Sequence, residues 1–191
     1  VNEELSVRGT LQNATRHGNI TELYRGQGAS LTDMDPDPCG TDPETGIGPS
    51  STAAQCANTG LPAALYGSDL KSPADQYNIL TGGNPNLVPE ESESTTIGVV
   101  WTPSSVPGLT VTLDYFDILI EDKIGTIPAS TSLANCLESG NPTFCSLIER
   151  DPIAGTLWVS PGQIITTNTN VAEESLNGFD LIFDYSLDTK L

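Results

Sequence analysis

Positive charge is what this chain has least of. Seven Lys and Arg stand against 25 Asp and Glu over 191 residues, a formal net charge of −18 with a pI near 4.1. Nucleic-acid binding, which needs basic patches to replace phosphate counterions, is excluded. A basic face for anionic lipid cannot be assembled from so few cations either. Histidine occurs once, as His17, and the four cysteines form neither a C-x-x-C pair nor a Cys/His cluster. G-x-S-x-G, P-loop and H-E-x-x-H patterns are all absent, so the chain is not expected to be an enzyme. Apolar runs of about 18 residues are missing, which excludes a transmembrane helix. A membrane strand is not excluded, because it spans with about 9–11 residues and gives lipid only every second side chain.

What is present is period two. Leu5, Val7, Gly9 and Leu11 alternate with Ser6, Arg8, Thr10 and Gln12. Thr95, Ile97, Val99 and Trp101 repeat the pattern, and Leu109, Val111, Leu113 and Tyr115 resume it beyond a turn tract, Pro103–Gly108. Phe179, Leu181, Phe183, Tyr185 and Leu187 close the series. Such alternation reads as strands with one apolar and one wet face. Strands are expected near 4–12, 94–102, 109–120 and 166–187, in one domain over 1–191. Two long loops, 13–90 and 123–163, are rich in Gly, Pro, Ser, Asp and Asn. Helical turns are expected near 53–58 and 62–66. The second loop should carry a helical pair, Ser130–Glu138 and Pro142–Arg150, with Asn141 as N-cap and Pro142 in the first helical position. The fold class is therefore all-β: antiparallel barrel-type strands, an open slice of a larger barrel, since small closed barrels need around eight strands.

Cys39 and Cys56 sit in the first loop, Cys136 and Cys145 in the second. Four cysteines allow three connectivities; local pairing, each bridge closing its own loop in an oxidising compartment, is the expected one. Asp33, Asp35 and Asp37 are alternating carboxylates of the kind found in calcium loops, yet Pro38 stands where an EF-hand loop needs Gly. A solvated loop is the first expectation there and calcium the alternative; no other cofactor is expected. Asp114, Asp117, Glu121 and Asp122 form a second acidic set near a strand end.

Four segments carry a family resemblance. Gly82-Gly83-Asn84-Pro85-Asn86-Leu87-Val88-Pro89-Glu90 resembles the G-N-P-N-L-x-P-E motif at which TonB-dependent receptors re-enter a barrel strand from an outside loop. Asn19-Ile20-Thr21-Glu22-Leu23-Tyr24 is similar to the family's loop entry, with His17-Gly18 where the family usually has Ala-Pro. Pro107–Ile118 resembles its P-G-L-x-x-x-x-D-Y-x-D-I strand, and Asn177-Gly178-Phe179-Asp180-Leu181 its [ST]-x-G-[VF]-[DE]-L strand.

The resemblance implies a fragment from the C-terminal half of an outer-membrane barrel of a Gram-negative bacterium. The whole receptor would take up a scarce ligand (a siderophore, a corrinoid or an oligosaccharide) with energy passed by TonB. Its partners would be the remainder of the barrel, the plug, and TonB through an N-terminal part not in this chain. Alone, the piece is not expected to transport. Asn19, Glu22 and Tyr24 are expected to face ligand or lumen. Val1 opens directly into strand pattern, which suggests an internal piece of something longer. The rival reading is a secreted or cell-surface acidic β-protein with a structural role. It would self-assemble into oligomers or fibres through open strand edges.

Overall fold

The computed structural model describes residues 3–187. Four strands, β1 (Leu5–Arg16), β4 (Glu90–Trp101), β5 (Leu109–Gly125) and β8 (Thr169–Tyr185), form an antiparallel sheet in the order β1-β4-β5-β8. Each neighbour in the sheet is the next long strand along the chain, the simplest way to satisfy backbone hydrogen bonds. The strands run longer than the alternation alone marks: β1 continues to Arg16, and β5 to Gly125. Arg16 pairs with Glu90 at 2.5 Å, so polar partners extend the ladder after the apolar rows end.

Register follows the pattern of the side chains. Leu5, Val7 and Gly9 lie opposite Trp101, Val99 and Ile97, which in turn face Val111, Leu113 and Tyr115. The apolar rows of β4 and β5 therefore share one face across the turn at 102–108. A one-residue slip would move every one of them to the other side. Phe179 joins that face by packing its ring 5.0 Å from Tyr115. The opposite face is mixed, with Thr112 and Asp114 on it beside Phe116, Ile118 and Ile120 of the same strand. Arg8 grips Asp114 with two guanidinium N–H groups at 3.0 and 2.5 Å, across Gly98 of the central strand. Any Cβ on Gly98 would collide with the Asp114 carboxylate, and one on Gly178 would sit 2.8 Å from the Phe116 ring. These glycines clear space for the larger side chains beside them.

Apolar side chains on the first face stay uncovered: Val7, Leu11, Ile97, Trp101, Leu113, Phe179, Leu181, Phe183 and Tyr185 are all exposed. β1 and β8 form its outer edges, so the sheet is open.

The single domain expected over 1–191 divides in two. One compact unit holds the four-stranded sheet; the other comprises residues 19–87 and 124–169. The second unit is built from the tracts expected as loops, and it has its own core. Leu61, Leu70, Tyr77, Leu133, Leu137, Leu157 and Ile164 are buried there with both disulfides. A second sheet, β2 (Gly28–Asp33), β3 (Gln76–Thr81), β7 (Gln163–Ile165) and β6 (Ile148–Glu149), runs in the order β2-β3-β7-β6. β3 and β7 pair in parallel, so this sheet departs from the antiparallel rule of the first.

Helices occur in both inserted tracts. α2 (Ala53–Asn58) and a 3-10 turn (Ala63–Leu65) lie in the first, α3 (Ala129–Ser139) and α4 (Pro142–Cys145) in the second. Asn141 caps α4 by accepting from the Thr143 N–H at 2.9 Å. That helix ends at Cys145 rather than continuing to Arg150, because Ile148 is taken into the sheet opposite Ile164 and buried. Among the described residues no helix is long and apolar enough to cross a membrane.

Gly98→Val should expel the Asp114 carboxylate from its place beside Arg8. We expect a loss of about 1–3 kcal/mol, the usual cost of overpacking, read as a lower midpoint in chemical unfolding. An unchanged midpoint would mean the pair does not depend on the glycine.

Candidate functional site

The second unit positions its functional side chains through a backbone clamp. α1 (Ile20–Tyr24) is a single short turn started by a capping box. The Asn19 Oδ1 accepts from the Thr21 and Glu22 N–H groups, both at 2.9 Å, and the Glu22 carboxylate accepts from the Asn19 N–H at 2.8 Å. Two of the three residues expected to meet ligand are thus engaged with each other's backbone, which is what capping boxes do. Tyr24, the third, is exposed, as is Ile20 one turn before it.

The glycine-rich motif then explains itself by contact. Asn84 donates its N–H to the Glu22 carbonyl at 2.9 Å, and Gly83 donates to the Arg25 carbonyl at 2.8 Å. A Cβ at Gly83 would lie 2.7 Å from the Arg25 nitrogen, and one at Gly82 would lie 2.6 Å from the Gln27 Cα. Gly82 also holds φ at +151°, a region open in practice only to glycine. Asn168 completes the clamp by donating its side chain to the same Glu22 carbonyl at 3.0 Å, while its own carbonyl accepts from the Asn84 side chain at 3.0 Å. In the sheet unit, Asn170 repeats the arrangement on Val88, accepting from its N–H and donating to its carbonyl, both at 3.0 Å. The two asparagines were missed in the sequence. Asn168-Thr169-Asn170, amides two apart at the mouth of a long strand, is the signal that marks them.

Asp37 lies at the centre of the unit. Its carboxylate receives two guanidinium N–H groups of Arg150, at 2.6 and 3.2 Å, and both side chains are almost wholly buried. Arg150 also donates to the Thr59 hydroxyl and the Gly155 carbonyl, each at 2.8 Å. Cys39 and Cys56 are bridged, as are Cys136 and Cys145, which is the local pairing expected. Asp33 and Asp35 remain exposed on the surface near Lys71 and Asp75. Among the described residues no three His, Cys, Asp or Glu side chains come together as a cation cage, and Asp37 already has Arg150 as its counterion.

Lys71 is ringed by acid, 3.1 Å from Glu44 and 3.5 Å from Asp42. Those carboxylates, Glu44 first, hold its ammonium above the usual lysine range. The Asp42 carboxyl is held below its usual range, chiefly by the Glu44 N–H donating to it at 2.9 Å, with smaller help from Thr45 and Lys71. His17 is exposed just beyond β1.

The family model for the TonB-dependent receptor-like β-barrel matches residues 1–191. The chain belongs to the TonB-dependent receptor family. The two sheet faces and the clamped loop motif thereby acquire a common setting. Among solved structures, the siderophore receptor PirA from Pseudomonas aeruginosa is 14% identical, with a TM-score of 0.47 over 95% of this chain and 22% of that one. PirA from Acinetobacter baumannii is 15% identical, with a TM-score of 0.48 over 98% of this chain and 20% of that one. A mutant ferric enterobactin receptor, PfeA, from Pseudomonas aeruginosa in complex with enterobactin is 13% identical, with a TM-score of 0.49 over 95% of this chain and 18% of that one. This TonB-dependent receptor chain thus spans about a fifth of their length. No curated protein matches it.

Two outcomes are expected. Arg150→Met leaves the Asp37 carboxylate buried without a partner and should cost about 3–5 kcal/mol; Arg150→Met with Asp37→Leu should recover most of it. Unfolding monitored by Trp158 fluorescence reads both, and equal losses in the single and double variants would refute the account. Second, pH acts on the 42–46 turn with a definite sign. The depressed Asp42 pKa gives stabilisation that is present above the unfolded carboxylate value of about 3.9 and lost as pH falls through the lower folded value. The raised Lys71 pKa gives stabilisation that is present below about 10.4 and lost as pH rises through the higher folded value. The protection of the Glu44 amide against hydrogen exchange, taken relative to the intrinsic exchange rate at each pH, should therefore be greatest between those limits and fall beyond either one. A protection factor that falls steadily through neutral pH would exclude this pair of groups as the cause.

Proposed function

We propose that this chain forms wall and outside loops of an outer-membrane receptor of a Gram-negative bacterium. The whole receptor takes up a scarce ligand, a siderophore, a corrinoid or an oligosaccharide, using energy passed by TonB. The observation that carries this reading is the two-faced sheet. Nine large apolar side chains are exposed on one face, while the other presents the Arg8–Asp114 pair beside Thr10, Thr96, Phe116 and Asp180. In water such a face would be a liability. Against hydrocarbon it is the expected exterior of a barrel, with Trp101 and Tyr185 suited to the half-wet interface. β1 and β8 then pair with the neighbouring strands of the same barrel, and the plug and TonB engage the rest of the receptor.

Family membership supports the uptake reading. Self-association stays as a second reading because both outer strands of the sheet offer unpaired edges.

Spin labels at Ile97, Val99 and Leu113 in the whole receptor should report hydrocarbon, and labels at Thr96 and Thr112 water. Depleting TonB should abolish uptake. If the first set reports water and the isolated chain assembles as salt screens its charge, the self-assembling alternative wins.

A further inference from the structure

One groove of the second unit breaks the rule of the rest. That unit's only cations are Arg25, Lys71 and Arg150, set against a large excess of Asp and Glu. Lys71 and Arg150 are in ion pairs. Arg25 is exposed, and among the described residues it is the one Lys or Arg in no ion pair. It stands at a groove of about 390 Å³, within the size range of small-ligand sites. The floor of the groove is the second sheet, through Thr32, Ile79 and Thr81, with Thr166 just past β7, and the wall is the segment from Thr126 to Ser130 leading into α3. No Asp or Glu lines it. An acidic unit thus has one groove lined without carboxylates, and the one cation of that unit outside an ion pair is among its lining residues.

The lining adds shape to that charge. Thr81 and Thr166 donate their hydroxyls to backbone carbonyls, of Gly28 at 3.4 Å and of Leu80 at 3.2 Å, so each keeps its lone pairs available as an acceptor. Ile79 and Ile127 supply apolar surface between them. Gly28, opposite Thr81 in the ladder, leaves open space where a side chain would stand. The backbone of Arg25 is fixed at both groups: its N–H donates to the Thr21 carbonyl at 3.2 Å, and its carbonyl accepts from Gly83. The guanidinium therefore springs from an anchored point, which lowers the entropy cost of using it.

We propose that Arg25 and this groove form a subsite for a singly charged carboxylate on a small, partly apolar, hydroxylated ligand. The guanidinium takes the carboxylate through its paired N–H groups. Ile79 and Ile127 cover the apolar body, and the threonine acceptors meet its hydroxyls. The acidic surroundings disfavour multiply charged anions, whose extra charges gain no partner here. This subsite rests on the reading that these loops meet the ligand.

The test uses the whole receptor in detergent micelles, with phenylglyoxal as an arginine-selective label and peptide mapping as the readout. Isovalerate is the carboxylate probe, isovaleramide its neutral isostere, and citrate the multiply charged control. Arg25 should be the most reactive arginine of this chain, and isovalerate should protect it where isovaleramide and citrate do not. Saturation-transfer NMR should show isovalerate binding weakened roughly 10- to 100-fold by Arg25→Gln, the usual worth of a hydrogen bond to a charged group. Arg25→Lys should lose less. Thr126→Trp should block the groove with both disulfides intact in the peptide map. Equal protection by the amide, or better protection by citrate, would overturn the assignment. So would an Arg25 that is shielded in the ligand-free receptor but reactive in the isolated chain, since a protein carboxylate would then occupy the groove. The TonB-depletion assay fails or succeeds independently of these results. Uptake without Arg25 dependence removes only the subsite, and isovalerate binding without TonB-dependent uptake removes only the transport reading.

Discussion

The second unit hangs on one guanidinium. Arg150, from the later insertion, reaches Asp37 and Thr59 of the earlier one, and the Cys39–Cys56 bridge lies between those two anchors. Asp37 accepts from the Cys39 N–H at 3.0 Å, and the Thr59 hydroxyl donates to the Cys56 carbonyl at 2.7 Å. Both of these contacts of Arg150 are therefore backed by a second bond to the disulfide's own backbone. Taking two charges out of water costs more than a surface pair returns, and only full satisfaction of the donors offsets it. Arg150 comes close to that condition through four bonds, two to the Asp37 carboxylate and one each to the Thr59 hydroxyl and the Gly155 carbonyl. Two insertions far apart in sequence are thereby held as one body with a modest apolar core.

The sheet unit solves a different problem with different means. It has little interior of its own, so its order comes from the ladder and from matched faces. Gly98 and Gly178 leave room on the mixed face for Asp114 and Phe116. On the other face Tyr115 and Phe179 touch ring to ring. Lys123 of β5 pairs with Glu174 of β8, and Arg16 of β1 with Glu90 of β4, so ion pairs lie at the strand ends where apolar residues stop.

Much of the sheet was legible in the sequence because period two leaves a direct trace. The pairing of Ile97 with Tyr115 and of Val99 with Leu113 follows from alternation and one turn. The disulfides were legible because each cysteine has a partner nearby. The second unit was not. Its tracts are rich in Gly, Pro and Asn, and composition alone reads them as loop. Its order comes from non-local bonds: Arg150 to Asp37, Asn168 to Glu22, and a parallel pairing of Ile79 with Ile164. None of these leaves periodicity behind. Among the residues expected at the site, Asn19 and Glu22 also make a capping box, and bonds of that kind leave no periodicity in the sequence. Arg25 passed unnoticed because its distinction is the absence of a counterion.

The capping box has a consequence for change. Asn19 and Glu22 serve the turn itself, and Gly82, Gly83, Asn84 and Asn168 serve the contact that holds it. Those positions form a frame indifferent to whatever binds nearby. Ile20, Tyr24 and Arg25 are carried on the frame with side chains free of it. A new binding preference could therefore be written onto three side chains while the turn beneath them stays as it is, which makes this short segment a natural place to begin redesigning what the loops hold.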